Sequence, residues 1–88
     1  MLFMITYAFA PDARDTVQDR FKKTGGGPGA GVKMLGRWHA VGGHGGYVLA
    51  ETADSVALGK WMQEWTDHLE FEITPVNDDP NVMKVLGE

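Results

Sequence analysis

The sequence predicts an α+β fold in a single domain, residues 1–88, in the order strand, helix, strand, strand, helix, strand. A nearly continuous apolar run over residues 2–9 is typical of a buried strand. A glycine-rich turn joins two β-rich runs within residues 32–52, which indicates a hairpin. Apolar residues at helical spacing precede and follow the hairpin. The order therefore matches the ferredoxin-like arrangement, a four-stranded antiparallel sheet with both helices on one face.

The first strand is predicted to lie in the centre of its sheet because it is apolar on both faces. So short a chain has helices for one face only, and we expect a second subunit to cover the other. Pro11-Asp12 opens the first helix, since proline suits a first turn and aspartate suits the positive end of the helix dipole. The predicted buried stripe of this helix consists of Ala13, Val17, Phe21 and Thr24.

The glycine-rich segment 25–31 ends the first helix and is interpreted as a flexible linker, with a mobile lid over a pocket as the alternative. It is not a phosphate-binding loop. Such a loop leads from a strand into a helix and carries Gly-Lys-Ser/Thr, whereas this segment leads from a helix into a strand.

The hairpin's arms are predicted as residues 32–41 and 47–52, and a turn centred on His44 pairs opposite charges across them. The pairs in this register are Arg37 with Glu51, His39 with Leu49, Val41 with Tyr47, Trp38 with Ala50 and Ala40 with Val48. Because side chains alternate along a strand, Trp38 is expected on the helix side, and Arg37 and His39 on the opposite face.

The second helix is predicted to begin after an N-cap at Asp54. Its core stripe is Val56, Leu58, Trp61, Met62, Trp65 and Leu69. Residues 70–76 alternate as a strand with Phe71 and Ile73 towards the helices, and Pro75 favours a sheet edge or a strand end. A turn at 78–80 then leads to a short C-terminal helix that needs a surface to dock on. Its apolar residues are Val82, Met83, Val85 and Leu86.

Composition excludes several classes of protein. A net charge of −4 argues against a nucleic-acid partner, and the absence of cysteine removes thiolate chemistry and cysteine zinc sites. No histidine and carboxylate spacing indicates a metal. The apolar N-terminus is too short to span a membrane and lacks a basic start, so a cytoplasmic protein with no membrane partner is expected.

The sheet face turned away from the helices is predicted to be too apolar for water and too polar for a dry core. Its predicted members are Leu35, Arg37, His39, Val41, Tyr47, Leu49, Glu51, Glu70, Glu72 and Thr74. Two such faces packed together would form a dimeric α/β barrel with a partly polar interior, and the predicted partner is a second copy of the chain.

Five motifs carry a resemblance over essentially the whole chain: the start Met-Leu-Phe-Met at 1–4 with Tyr7 and Phe9, the run Gly-Arg-Trp-His-Ala-Val-Gly at 36–42, Gly-Tyr-Val-Leu-Ala-Glu at 46–51, the pair Trp61 and Trp65, and Thr-Pro-Val at 74–76. They resemble a family of small bacterial proteins of unknown function, placed among the dimeric α+β barrels. The resemblance implies the fold and a homodimer, and it transfers no catalytic residue. More distant barrels include cofactor-free quinone-forming monooxygenases, haem-degrading enzymes and muconolactone-type isomerases, which supply fold-level analogy only.

His39 is the best catalytic candidate, as a general base inside the barrel, with a purely structural hydrogen bond as the alternative. Arg37 with Glu51 would orient an anionic ligand or form a cross-strand ion pair. Tyr47 and Glu72 complete the predicted ligand-binding set. A haem interpretation would use His68 as axial ligand, but the first strand offers Thr6 where the haem-degrading relatives have asparagine, so no cofactor is predicted.

Three functions remain open. The first is a homodimer that binds a small organic molecule in the cavity between the two sheets. The second is a cofactor-free monooxygenase or isomerase that uses His39 as base. The third is a structural or interaction protein without catalysis. The sequence leaves open whether the protein is an enzyme.

Overall fold

A computed structural model describes residues 1–87 of the chain. Its elements are β1 (Leu2–Ala8), α1 (Arg14–Thr24, preceded by a 3-10 turn at Pro11–Ala13), β2 (Lys33–His39), β3 (Gly45–Glu51), α2 (Ser55–Gln63), β4 (Glu70–Val76) and α3 (Asp79–Val85). The strands form one sheet in the order β2-β3-β1-β4, with every neighbouring pair antiparallel. The predicted α+β order and short C-terminal helix are confirmed.

Local sequence signals account for the helix boundaries. Gly25 follows α1 in the left-handed conformation, with φ at 74°, and its N–H donates to the Phe21 carbonyl at 2.8 Å. Glycine adopts this conformation without the steric cost that a Cβ brings, which is why it terminates helices. Asp54 caps α2 as predicted, because its Oδ1 accepts hydrogen bonds from the backbone N–H groups of Val56 and Ala57.

The core lies between one face of the sheet and the two helices. Ile5 at the centre of β1 is 0% exposed and packs with Val48 and Ala50 of β3. The helices contribute Val17, Leu58, Trp61 and Met62, and the turns after α2 contribute Trp65 and Leu69. Burying a side chain such as Ile5 contributes about 1.5–3 kcal/mol to the free energy of folding. Of the predicted stripe on α2, only Val56 faces solvent.

The strand positions agree with the sequence. β1 lies between β3 and β4, as expected for a strand that is apolar on both faces. β4 is an edge strand, so Pro75, which lacks a backbone N–H, sits where a ladder hydrogen bond is dispensable.

The predicted register of the hairpin is wrong. Arg37 pairs with Val48, not with Glu51; the other observed pairs are Trp38 with Tyr47, His39 with Gly46 and Lys33 with Glu51. The pairing shifts between Met34 and Gly36, where Leu35 is an extra residue in β2. A bulge of one residue reverses which side chains face the core beyond it. Arg37 and His39 therefore face the helices, and Trp38 faces away from them.

The sheet surface away from the helices is called the open face here. It carries Leu2, Met4, Thr6, Trp38, Tyr47, Leu49, Glu51, Glu70, Glu72 and Thr74. Trp38, expected in the core, is 57% exposed on this face. Its ring covers Gly36, because a Cβ built there would lie 2.5 Å from Cη2 of Trp38. The glycine thus leaves room for the indole to lie flat along the strand.

α3 projects beyond β4 and buries none of its residues. Asp78 caps it, with Oδ1 accepting from the N–H of Asn81 at 3.0 Å. Its apolar side chains Val82, Met83, Val85 and Leu86 are all more than a third exposed. No helix within residues 1–87 is long and apolar enough to cross a membrane.

Candidate functional site

A cavity of about 430 Å³ lies between the helix-facing side of the sheet and the two helices. Its polar side chains from the sheet are Tyr7, Arg37 and His39. Its aromatic walls are Phe9, Phe21, Trp61, Trp65 and Phe71. This space, here called the helix-side cavity, differs from the predicted one between two sheets, because the bulge in β2 turns Arg37 and His39 towards the helices.

Tyr7 and His39 form a hydrogen-bonded pair across the sheet. They belong to strands that are not neighbours, and Gly46 of the intervening β3 is the register partner of both. The hydroxyl of Tyr7 lies 2.5 Å from Nδ1 of His39. A Cβ at Gly46 would come within 2.5 Å of that hydroxyl oxygen, so the missing side chain lets the pair meet over the central strand.

The environment of the pair keeps Tyr7 in its phenol form at neutral pH. Burial raises the pKa of Tyr7 above 10.0, and the positive charge of Arg37 only partly opposes that rise. When Nδ1–H of His39 donates to the phenol oxygen, Nε2 is left as an acceptor; when the phenol donates to Nδ1, Nε2–H is a donor. The Phe21 ring and the His39 imidazole meet edge-to-face, with their ring centroids 5.1 Å apart. This contact favours the observed orientation of the imidazole.

Arg37 connects the cavity to the glycine-rich segment after α1. Its Nη1 donates to the Gly26 carbonyl at 3.0 Å, and its Nη2 donates to the Gly25 carbonyl at 2.9 Å. The guanidinium carbon lies 4.8 Å from the centre of the Phe21 ring. The predicted ion pair with Glu51 is therefore wrong, since Glu51 sits on the opposite face.

Gly26 is buried where three elements meet. Its carbonyl also accepts a hydrogen bond from Nε1 of Trp61 at 3.2 Å. Its φ is +61°, and a Cβ would lie 3.2–3.3 Å from atoms of Arg37, Phe21 and Trp65. The segment that the sequence presented as a linker is thus anchored at Gly26, on the wall of the helix-side cavity.

The predicted ligand-binding residues divide between two surfaces. Arg37 and His39 line the helix-side cavity, whereas Tyr47, Glu51 and Glu72 lie on the open face. Tyr47 and Glu72 flank Thr6 from its two sides, in a shallow depression that also includes His44. The sequence did not single out Tyr7 as a site residue. Its signal was a phenol in a central strand whose other side chains, apart from Thr6, are apolar.

Arg20 joins α1 to the turn after α2 beside the cavity residue Trp65. Arg20 donates two hydrogen bonds to the Asp67 carboxylate at 2.8 and 2.7 Å and one to the Glu64 carbonyl. The guanidinium lies 5.2 Å from the ring of Trp65. The hydrogen bond from Arg20 lowers the pKa of Asp67 to about 2.

The two residues considered in the haem interpretation lie apart from the helix-side cavity. His68 lies beside Asp67 and is not among the residues that line the cavity, and Thr6 is on the open face. Within the described part of the chain, no cluster of three His, Cys, Asp or Glu side chains is suited to a metal ion.

Comparisons with known proteins support the fold and leave the activity open. A family described as a domain of unknown function, DUF3303, matches residues 1–88. A solved structure, described as that of Rv0793 from Mycobacterium tuberculosis, superposes with a TM-score of 0.53 at 12% sequence identity. The match covers 89% of this chain and 97% of that chain. A search of curated proteins finds no match.

Proposed function

We propose that this chain, which belongs to the DUF3303 family of unknown function, is a homodimer whose subunits each bind a small organic molecule. The geometry of the fold supports this proposal. The binding site proposed is the helix-side cavity. The observation that carries this proposal is an apolar space of about 430 Å³ with Tyr7, Arg37 and His39 converging on it. Ligand sites typically measure about 300–1,000 Å³ and combine apolar walls with a few placed polar groups.

The cavity is large for a packing defect. Protein interiors are close-packed, and voids larger than a water molecule are few in any domain. The helix-side cavity opens to solvent at exposed His39, and it leaves apolar side chains of an 88-residue domain with a small core incompletely buried. A binding role accounts for a space of this size better than inefficient packing does.

Binding is tested by thermal shift with a panel of small aromatic compounds. At a concentration of about 100 Kd, a ligand adds about 2.7 kcal/mol to the free energy of unfolding, which raises Tm by about 10–20 °C in so small a domain. Val17→Phe places a larger side chain in the cavity and should abolish the shift. Val56→Phe makes the same change on the exposed side of α2 and should respond as wild type does. If no compound of the panel raises the Tm of wild type or of Val56→Phe, the proposal is contradicted.

The homodimer is supported by the apolar groups that the single subunit leaves exposed. Met4, Trp38 and Tyr47 on the open face are 37%, 57% and 52% exposed. Exposed apolar patches of this kind mark interaction surfaces. A second copy suits them because a two-fold axis matches each surface to itself and lets each α3 pack against the partner in the same operation.

Sedimentation of the intact protein tests the homodimer. We expect a dimer at micromolar protomer concentration, and Trp38→Glu should yield a folded monomer because a buried, unpaired charge opposes association. Val41→Glu places the same charge on a fully exposed apolar residue outside β2 and should remain dimeric. A wild-type monomer would contradict the proposed assembly.

A second candidate function, acid–base catalysis by His39 in a cofactor-free monooxygenase or isomerase, is favoured by the hydrogen bond between Tyr7 and His39. The tautomer in which Nδ1–H donates to Tyr7 leaves Nε2 able to accept a proton from a bound molecule. Turnover of hydroquinone or lactone substrates should be lost in His39→Ala and kept in His44→Ala, since His44 lies in the hairpin turn. Unchanged turnover in His39→Ala would eliminate His39 as the base.

The third candidate is a purely structural or interaction protein, in which Arg37 and His39 would serve only to stabilise the dimer. Their position on the helix side gives them no direct role at the open face. A protein that dimerises through the open face but binds no compound from the panel would fit this alternative.

A further inference from the structure

We infer that the helix-side cavity selects a flat aromatic molecule that carries one acidic oxygen group, held as an anion against Arg37. This inference rests on the proposed function and names the class of ligand that the site takes. Its basis is the distribution of charge around the cavity, the hydrogen bonds that Arg37 has left to make, and the aromatic walls.

Within residues 1–87, no acidic side chain lines the cavity. The chain has 12 Asp and Glu against 8 Lys and Arg, yet the charged residues that line the cavity are Arg37 and Lys22. Because the charged residues of positions 1–87 that line the cavity are both cationic, we expect a local positive potential there. Such a potential attracts anions and repels cations of the same size and shape.

Arg37 retains donors for an anion. Of its five N–H groups, one on Nη1 and one on Nη2 donate to the carbonyls of Gly26 and Gly25. No carboxylate within residues 1–87 forms a salt bridge with it. The two carbonyls hold the guanidinium in place, so a ligand carboxylate meets a pre-oriented cation and loses less side-chain entropy on binding.

The walls specify the rest of the ligand. Rings of Tyr7 and Phe9 are stacked, with centroids 6.5 Å apart and an angle of 8° between their planes. Trp61, Trp65 and Phe71 supply further flat apolar surface. Aromatic side chains pack favourably on an aromatic guest in offset-stacked or edge-to-face geometry.

Polarity also sets the orientation of the guest. His39 is exposed and Arg37 is half-buried, whereas Trp61, Met62 and Trp65 are buried. Arg37 and Trp61 donate to the same Gly26 carbonyl, so the acidic group lies at Arg37 and the ring system packs beside it against the tryptophans.

Isothermal titration calorimetry with three probes of one shape tests the inference. The probes are naphthoate, the neutral naphthamide and the cationic naphthylmethylammonium. We expect wild type to bind naphthoate about tenfold or more tightly than naphthamide, as hydrogen bonds to charged groups exceed neutral ones. The cation should bind least.

Variants separate a specific contact from overall charge. Arg37→Gln should remove the preference for naphthoate over naphthamide, while naphthamide affinity changes little because the aromatic walls remain. Arg14→Gln removes the same charge from an exposed residue of α1 that pairs with Asp15, outside the cavity, and should preserve the preference. Far-ultraviolet circular dichroism establishes that both variants are folded.

The outcomes separate a failure of the anion preference from a failure of the proposed binding function. If all three probes bind equally, or the cation binds best, the anion preference is overturned while binding in the cavity stands. The anion preference at Arg37 is likewise overturned if Arg37→Gln discriminates between naphthoate and naphthamide as strongly as wild type does. If no probe binds and the broader aromatic panel also gives no thermal shift, the proposed binding function itself fails.

Discussion

Removing both donors to the Gly26 carbonyl should cost more than the two single changes together. Arg37 and Trp61 each donate to that one buried oxygen, at 3.0 and 3.2 Å. Trp61→Phe leaves the oxygen bonded to Arg37, and Arg37→Met leaves it bonded to Trp61. Only the double variant buries an acceptor without a partner.

The magnitude follows from the bonds involved. Trp61→Phe forfeits a neutral hydrogen bond worth about 0.5–1.5 kcal/mol in addition to the packing of the buried indole. Arg37→Met forfeits charge-assisted bonds worth about 1.5–3 kcal/mol. Leaving the carbonyl buried and unpaired adds a further penalty of about 1–3 kcal/mol. That last figure is the expected coupling energy in a double-mutant cycle.

Urea unfolding followed by circular dichroism measures the cycle, with all four proteins at one protomer concentration so that association does not distort the comparison. Trp61→Phe with Arg20→Met serves as control, because Arg20 donates to Asp67 and Glu64 instead. The control pair should be additive. If the Arg37 and Trp61 pair is also additive within about 0.5 kcal/mol, the shared carbonyl does not anchor the glycine-rich segment.

Three further changes test the structure elsewhere. Gly46→Ala should cost about 1–3 kcal/mol or more, since its Cβ would clash with the Trp38 carbonyl oxygen, and it should break the bond between Tyr7 and His39, since the same Cβ would lie 2.5 Å from the Tyr7 hydroxyl; urea unfolding and histidine ring NMR signals check both effects. Gly59→Ala on α2, with no atom within 4 Å of the new Cβ, should instead stabilise by about 0.5–1 kcal/mol in urea unfolding. The lowered pKa of Asp67, about 2 against 3.8, means that its ion pair stabilises the fold above pH 3.8 and is lost as pH falls through about 2. Asp67→Asn should lack this part of the acid dependence, and equal acid unfolding profiles would contradict it.

The elements themselves could be predicted because their signals are local. The glycine after α1, the aspartate before α2 and the proline in β4 act through backbone groups a few residues away. The central position of β1 likewise follows from apolar side chains on both of its faces. The observed boundaries and strand order confirm each of these predictions.

The site could not be assigned to its face from the sequence because that assignment depended on a single residue. Pairing opposite charges favoured Arg37 with Glu51, but Leu35 bulges and reverses the alternation beyond it. The carbonyls of Gly25 and Gly26 accept hydrogen bonds from the Arg37 guanidinium, in place of the predicted contact with the Glu51 carboxylate. Residues predicted as one ligand-binding set thereby separate onto two faces.

The sequence by itself determined the order of strands and helices, the caps, and the burial of Trp61 and Trp65, because these depend on interactions over a few residues and on apolar burial. Only the tertiary structure decided the register of β2 against β3, the contact between Tyr7 and His39 over Gly46, and the anchoring of the glycine-rich segment by Arg37 and Trp61. The physical reason is that each joins residues far apart in the chain, and their meeting depends on a one-residue bulge and on missing side chains.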